Sequence, residues 1–312
     1  MTELSDSGAL ARPAEWWRRI LAFCVDGVLV GIVGLTLGFT VSDQLAQLGA
    51  WGRLVGFLLT LAYFGIMNSR LTNGQSLGKR LLRIRVVDPQ GRPLSVARSF
   101  LRFVPLGVPW FLNNAAFPES VLFSFWVYLL SIAVFGLGLS FIFLFLFDRP
   151  WRRSLDDLLA GSVVIRSAEN GAVGALAPRR WQLATCAVLI VAAGLLPVFT
   201  GRLATSETFG PLLKVHQAVS AEPWVAHAQV DRGTNHNSNG TITYMAIDAY
   251  LRDARIQDPE RAAQLARIAV TQDPSSRSLD VLQVTLVYGF DIGIAEASRS
   301  QVFSYLPKDV AQ

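Results

Sequence analysis

Two residues of opposite charge, Arg19 and Asp26, stand seven positions apart at the start of a long apolar stretch. An α-helix turns about 100° per residue, so a spacing of seven returns to within about 20° of the same face. The two side chains are therefore expected on one stripe, about 10.5 Å apart along the helix axis. An aspartate within a membrane costs about 2.5–3.5 kcal/mol on insertion scales, so Asp26 must face protein, meet a cation or carry a proton.

Asp26 has two interpretations that the sequence leaves open. As a functional residue, it is a site for a proton or a cation in a pathway through the membrane. As a structural residue, it is neutralised permanently by Arg19, Arg153 or another basic side chain and fixes helix packing. Arg19 also has a simpler interpretation, because arginine is a common anchor at the cytoplasmic end of a span.

The sequence predicts no catalytic, cofactor or metal site. Residues 74–80 read GQSLGKR, which is one residue too short for a phosphate-binding loop and has Arg80 where Ser or Thr would hold magnesium. The three histidines, His216, His227 and His236, are not at metal-ligand spacing. No nucleophile, base and oxyanion donor can be assembled from residues 201–312, and we expect neither an enzyme nor a bound cofactor.

The elements that must position Arg19 and Asp26 are membrane spans. Of 312 residues, 52% are hydrophobic and only 16% are charged, and the mean hydropathy is +0.38, whereas soluble chains carry roughly a quarter charged residues. Apolar stretches long enough to cross a bilayer occur at 20–40, 51–67, 121–147 and 181–199, and the proline-interrupted segment 103–117 either crosses or re-enters. This predicts a mainly α fold, a polytopic helical membrane bundle of about five spans.

Basic residues are distributed unevenly along the chain. Residues 1–200 contain 18 Lys and Arg against 11 Asp and Glu, a balance of +7, whereas residues 201–312 contain 10 against 12, a balance of −2. The basic segments 69–102 and 149–180 are expected in the cytoplasm, which requires an even number of crossings between them. No nucleic-acid-binding motif accompanies these charges, so the lipid bilayer is the predicted partner and nucleic acid is not.

Three stretches of the chain carry a family resemblance: RRILAFCVD at 18–26, SLGKRLLRIRVVD at 76–88 and SLDDLLAGSVVI at 154–165. Together they resemble the RDD family of membrane proteins, over roughly residues 12–167. The resemblance implies a helical membrane architecture more firmly than an activity. Transport of ions or small solutes is the usual suggestion for that family.

The resemblance also implies a set of site residues. The family is named for an arginine at the start of its first helix, an aspartate within that helix and a further aspartate, and Arg19, Asp26 and Asp157 match these positions. The family usually has a histidine before its last aspartate, where this chain has Asp156, so the pair could be shifted by one. Asp157 also fits a capping box that begins at Ser154.

The predicted domains follow from these spans and charges. A cytoplasmic head at 1–19 precedes an RDD-like transmembrane domain at 20–167, which includes a cytoplasmic hairpin at 82–94, where apolar residues and arginines alternate before a DPQG turn. A linker at 168–180 and a final transmembrane helix at 181–200 follow. The chain is thus expected to be a multi-pass protein of the plasma or inner membrane, with its N-terminus in the cytoplasm.

Residues 201–312 are predicted to be a small extracytoplasmic α+β domain. Strand patterns cover 241–251 and 278–288, a helix covers 259–271, a less regular helix covers 215–222, and 235–240 is predicted to be a loop.

Two functions are compatible with these features. The first is a transporter or an ion- or proton-coupled exchanger for an ion or small solute, in which Arg19, Asp26 and Asp157 line a pathway and the exported domain senses or docks a protein. The alternative is a non-transporting anchor or assembly factor that presents residues 201–312 to a protein partner, with the buried charges holding helices together.

Overall fold

The structure is a computed structural model that describes residues 11–113, 115, 124–169, 171–173, 178–204, 209–237 and 240–310. The chain divides into two compact units, the first built mainly from Arg53–Pro197 and the second mainly from Val198–Asp291.

The chain up to residue 204 is helical, with one two-stranded sheet. Its elements are α1 (Trp16–Thr40), α2 (Ser42–Leu48), α3 (Gly52–Met67), α4 (Leu77–Leu81), β1 (Ile84–Val87), α5 (Val96–Leu112), α6 (Trp126–Phe147), α7 (Leu155–Ala160), β2 (Val163–Arg166) and α8 (Arg180–Ala204). A π-helical turn at Ile132–Gly136 interrupts α6. The prediction of a mainly helical fold is therefore confirmed.

Among the residues that the structure describes, three helices are long and apolar enough to cross a membrane: α1, α6 and the Arg180–Phe199 part of α8. The pair of α2 and α3, bent by 110°, passes the same test and could supply a fourth crossing. The five expected spans are thus matched by three or four. The remaining one, predicted within 103–117, corresponds to α5, which has 17 residues, two internal prolines and a buried Arg102. Residues 114, 116 and 117 of that prediction lie outside the described residues.

The strand β1 pairs with β2 and not with the residues that follow it. The predicted turn at Asp88–Gly91 forms, and the Gly91 N–H donates to the Asp88 carbonyl at 2.9 Å. However, the β1 partner is antiparallel β2, with Val86 opposite Val164, so the hairpin predicted at 82–94 is wrong. The two strands share an apolar core with α1 and Leu94, and this burial outweighs the local alternation on which the hairpin was predicted.

The second unit contains a four-stranded sheet covered by helices. Its elements are α9 (Gly210–Ser220), β3 (Val225–Asn237), β4 (Gly240–Leu251), α10 (Pro259–Gln272), β5 (Val281–Asp291), β6 (Glu296–Tyr305) and α11 (Pro307–Val310). The strand order is β3–β4–β5–β6, with β4 and β5 parallel and both outer pairs antiparallel. The core is formed by apolar side chains of α9, α10 and the two central strands.

The predicted α+β character of this unit agrees with the sheet and helices observed. The strand β4, the helix α10 and the strand β5 lie within three residues of their predicted bounds. The predicted loop at 235–240 is wrong in part, because β3 continues to Asn237 and contains His236, whose Nδ1 lies 2.9 Å from Thr241 Oγ1. The strands β3 and β6 were not predicted, since they form the sheet edges and β6 is mostly exposed.

Candidate functional site

Asp157 lies at the centre of a buried ion cluster. Its side chain is 0% exposed, and Oδ2 lies 2.6 Å from Arg19 Nη2 while Oδ1 lies 2.8 Å from Arg102 Nη2. The Ser162 hydroxyl donates to Oδ1 at 3.1 Å. Burial opposes ionisation, but the charges of Arg102 and Arg19 outweigh it and lower the pKa of Asp157 to about 2. Asp157 is therefore ionised at neutral pH and holds two guanidinium groups.

The helix α7 positions this carboxylate. It begins after Ser154 and ends at Ala160, and the C-cap residue Gly161 adopts φ +56° in the left-handed region. Ser154 occupies the N-cap position but makes no side-chain hydrogen bond to the helix backbone, so the predicted capping box does not form. Asp157 is instead directed towards α1 and α5, which carry its two arginine partners.

Arg19 is fixed by several contacts at the start of α1. In addition to Asp157, its guanidinium donates to the Arg152 carbonyl at 2.5 Å and lies over the Phe145 ring, 5.2 Å from the centroid. Its side chain is only 9% exposed. The structure thus brings Arg19 and Asp157 into direct contact.

Asp26 belongs to a separate hydrogen-bond network. The side chain is 0% exposed and accepts hydrogen bonds from Tyr63 Oη at 2.7 Å, Ser76 Oγ at 2.5 Å and the Gly78 N–H at 2.8 Å. Asp26 therefore faces protein, as its cost in lipid requires. It is not neutralised by either arginine proposed from the sequence, because Arg19 pairs with Asp157 and Arg153 pairs with Asp148 at 2.7 Å.

A cavity of about 280 Å³ opens beside the ion cluster. Its polar wall contains Arg19, Asn68, Lys79, Arg102 and Asp156, and phenylalanine side chains form most of its apolar wall. Asn68, Lys79, Arg102 and Asp156 are each at most 9% exposed, so these polar groups have little access to water except through the cavity.

Lys79 and Asp156 bring titratable groups to this cavity. Lys79 Nζ donates to Ser76 Oγ at 3.3 Å, and burial, together with repulsion from Arg102, lowers the pKa of Lys79 to about 8. Asp156 Oδ2 lies 3.0 Å from Arg102 Nη2, whereas Oδ1 is buried with no hydrogen-bond partner among the described residues. Burial raises the pKa of Asp156, although the charge of Arg102 opposes the shift.

Sequence reasoning missed the roles of Lys79 and Arg102 and named Asp156 only as an alternative to its neighbour. Both basic residues lie in a segment whose charges are explained by the positive-inside rule, so nothing in their spacing marks them. One signal was available. Lys79 is the single lysine among the 18 basic residues of positions 1–200, and lysine changes its pKa on burial far more readily than arginine.

Comparison with known proteins covers the region that contains this site. Residues 13–161 match the RDD family. The Uncharacterized protein YckC of Bacillus subtilis (strain 168) is 26% identical over 49% of this chain and 84% of its own length, and the Uncharacterized protein YxaI of the same organism is 24% identical over 30% and 76%. No solved structure matches the chain. Residues 13–161, which include every residue of the cavity's polar wall, are therefore an RDD-family region.

Proposed function

We propose that this protein is a membrane transporter that moves a small solute together with a proton through its RDD-family region. The observation that carries the proposal is the cavity in which Lys79 and Asp156 face the same space. Burial shifts both pKa values towards neutrality, that of Lys79 down and that of Asp156 up. Buried titratable groups with such shifts in a concave site are typical of functional sites.

The geometry supports different roles for the three residues predicted from the sequence. Arg19 lines the cavity itself, and Asp157 holds Arg19 and Arg102 in place beside it. Asp26 accepts hydrogen bonds from Ser76 and the Gly78 backbone, and so fixes α4, which carries Lys79. Asp26 and Asp157 are thus positioning residues, and the proton-exchanging role falls to Lys79 and Asp156.

The pairing of β1 with β2 supports an orientation in the membrane. Hydrogen-bonded strands lie on one side of a bilayer, and α6 crosses once between β1 and β2, so the chain between β1 and α6 must supply a second crossing. Pro13 bridges to Ile165 and brings the N-terminal residues to the same side. The surrounding arginines favour the cytoplasm as this side, because basic residues are more frequent in cytoplasmic segments. After α8, residues 201–312 then emerge on the extracytoplasmic side.

Reporter fusions in the full chain test this orientation. Fusions at residues 90 and 160 are expected to report the cytoplasm, because both positions adjoin the β1–β2 sheet, and a fusion at 250 is expected to report the exterior. Paired reporters, one active only in the cytoplasm and one only outside, measure each position. Opposite locations for positions 90 and 160 would contradict the orientation, as would a cytoplasmic position 250.

Proton movement in vesicles tests the transport function. The full chain is reconstituted into lipid vesicles that contain a pH-sensitive dye, and a pH gradient is imposed across the membrane. A sodium salt, a potassium salt or a benzenesulfonate salt is then added in separate measurements. At least one solute is expected to accelerate decay of the gradient relative to empty vesicles. Asp156→Asn and Lys79→Met should each slow that decay about tenfold or more, because each removes a titratable group from the cavity.

A matched control and two contrary outcomes complete the vesicle experiment. Arg92 is 74% exposed outside the cavity, so Arg92→Gln should leave the decay rate unchanged. Equal decay in protein-containing and empty vesicles for every solute would overturn the proposal, and so would a wild-type rate in both cavity variants.

The anchor function remains the second candidate, and one observation favours it. Asp157 has both oxygens engaged by arginines, which is the arrangement expected of charges that only hold helices together. The anchor function predicts that the pH gradient decays at the same rate in vesicles with Asp156→Asn as in vesicles with the wild type. It also predicts that residues 201–312 bind a protein.

A further inference from the structure

We propose that the cavity binds a small organic monoanion with an aromatic or otherwise apolar body, and that Asp156 takes up one proton when this anion enters. The inference deepens the proposed function, on which it rests for the role of the anion as cargo. Binding can be measured without transport, so the two can fail separately.

The charges around the cavity balance when it is empty. Arg19, Lys79 and Arg102 contribute three positive charges to its wall and Asp156 contributes one negative charge. Asp157, which pairs with Arg19 and Arg102 beside the cavity, supplies a second negative charge. Asp26 supplies the third negative charge through its attraction to Lys79. A proton on Asp156 leaves one positive charge in excess, which a monoanion neutralises. If the ligand carried a second negative charge, or if the anion entered without a proton on Asp156, one buried negative charge would have no counter-charge.

Buried polar atoms without partners mark where the anion would bind. Asp156 Oδ1 has no hydrogen-bond partner among the described residues, while Oδ2 is held by Arg102. A proton on Oδ1 converts this acceptor into a donor on a residue that lines the cavity. The Lys79 ammonium has three N–H groups, of which Ser76 Oγ accepts one. Together, Asp156 and Lys79 can donate to two oxygens of one carboxylate or sulfonate.

A third polar atom in the cavity fits the same ligand. Asn68 Oδ1 is buried and has no hydrogen-bond partner among the described residues. An asparagine amide can rotate by 180° with little change of shape and present its NH₂ group instead. Asn68 can therefore donate to an anion as well, which satisfies a group that is otherwise costly to bury.

The apolar wall and the volume define the body of the ligand. Five phenylalanines line the cavity and provide flat apolar surfaces: Phe23, Phe64, Phe103, Phe141 and Phe145. A cavity of about 150 Å³ holds benzene in another protein, so about 280 Å³ accommodates one ring with its charged substituent. The two acyl chains of a membrane lipid would not fit in that space.

The proton step requires only water as a donor. A proton from bulk water binds Asp156 Oδ1 as the anion enters and returns to water as the anion leaves, with no other bond made or broken. The charged groups around Asp156 are Arg102 from α5, Arg19 from α1, Lys79 from α4 and Asp157 on its own helix. At pH 6.5, Lys79 already carries its proton because its pKa is about 8. Uptake at that pH therefore reports Asp156.

Calorimetric titration of the full chain in detergent tests the inference. Benzoate and benzenesulfonate are titrated at pH 6.5 in two buffers of different ionisation enthalpy, which yields the number of protons taken up per anion. We expect binding of both anions with uptake approaching one proton. Asp156→Asn should retain the affinity and lose the uptake, because asparagine resembles a protonated aspartate. Lys79→Met should weaken binding about tenfold or more.

Controls separate charge from hydrophobicity and binding from transport. Neutral benzamide and cationic benzylammonium should bind at least about tenfold more weakly than benzoate, and Arg92→Gln should bind like wild type. Equal or tighter binding of benzylammonium would overturn the ligand class, and anion binding without proton uptake would overturn the role of Asp156. If the anions bind but no solute accelerates decay of the pH gradient in vesicles, the proposed transport function is overturned and the proposed ligand stands. If a solute accelerates the decay but the anions do not bind, the proposed ligand is overturned and the transport function stands.

Discussion

Asp157→Asn is expected to lower the free energy of unfolding by about 3–5 kcal/mol, because it leaves the buried Arg19 without its counter-ion and Arg102 with Asp156 as its remaining carboxylate partner. Arg19 and Arg102 both contact this carboxylate within 2.8 Å, and neither side chain is more than 10% exposed. An asparagine can accept a hydrogen bond from one of them but cannot neutralise either. Chemical unfolding of the full chain in detergent, followed by tryptophan fluorescence, measures the loss.

The adjacent carboxylate provides a matched control for Asp157→Asn. Asp156 also pairs with Arg102, at 3.0 Å, but burial raises the pKa of Asp156, so this residue has less ionic stabilisation to lose. Asp156→Asn should therefore cost less than about 1 kcal/mol. Equal losses in the two variants would show that both aspartates hold the cluster.

The same ion cluster sets the direction of a pH dependence. The pKa of Asp157 in the folded protein, about 2, lies below its ordinary value of 3.8. The unfolded chain therefore binds this proton first as the pH falls, and the stabilisation is present above about pH 4 and disappears towards pH 2. Asp157→Asn should remove this part of the acid sensitivity.

Sequence patterns were sufficient where the determining interactions are local. The apolar lengths of α1, α6 and α8 predict spans because about 20 residues match the thickness of a bilayer. The intramembrane cost of Asp26 likewise predicts that it faces protein. The alternation of β4 and the Asp258–Pro259 start of α10 fix these two elements of the second unit.

The features that the sequence did not predict depend on contacts between residues that are distant in the chain. The contact between Arg19 and Asp157 joins residues 138 positions apart, and the pairing of β1 with β2 joins segments separated by most of the RDD-family region. No periodicity within one segment carries that information, and only the family resemblance put Arg19 and Asp157 together. Lys79 and Arg102 had no such support, which is why the cavity itself could not be predicted from the sequence.

The packing of α4 against α1 leads to a second large expected effect. Gly78→Ala should lower the free energy of unfolding by about 3 kcal/mol, since inserted atoms in a tightly packed interior force backbone shifts. A Cβ on Gly78 would overlap the Ala22 carbonyl oxygen and lie 3.1 Å from Asp26 Cγ. Displacing α4 also breaks the hydrogen bond from the Gly78 N–H to Asp26. The same fluorescence-detected unfolding measures this loss, and decay of the pH gradient in vesicles should slow with it.

Gly27→Ala is the matched control for Gly78→Ala, because Gly27 adjoins Asp26 on α1 but a Cβ there would meet no atom within 4 Å. Alanine favours a helix over glycine by about 1 kcal/mol, so Gly27→Ala should leave stability unchanged or raise it. If Gly78→Ala lowers the free energy of unfolding and Gly27→Ala does not, the tight contact near Asp26 lies between α1 and α4. Wild-type stability in Gly78→Ala would contradict the close approach of α1 and α4. It would also remove the proposed link from Asp26 through α4 to the Lys79 amine in the cavity.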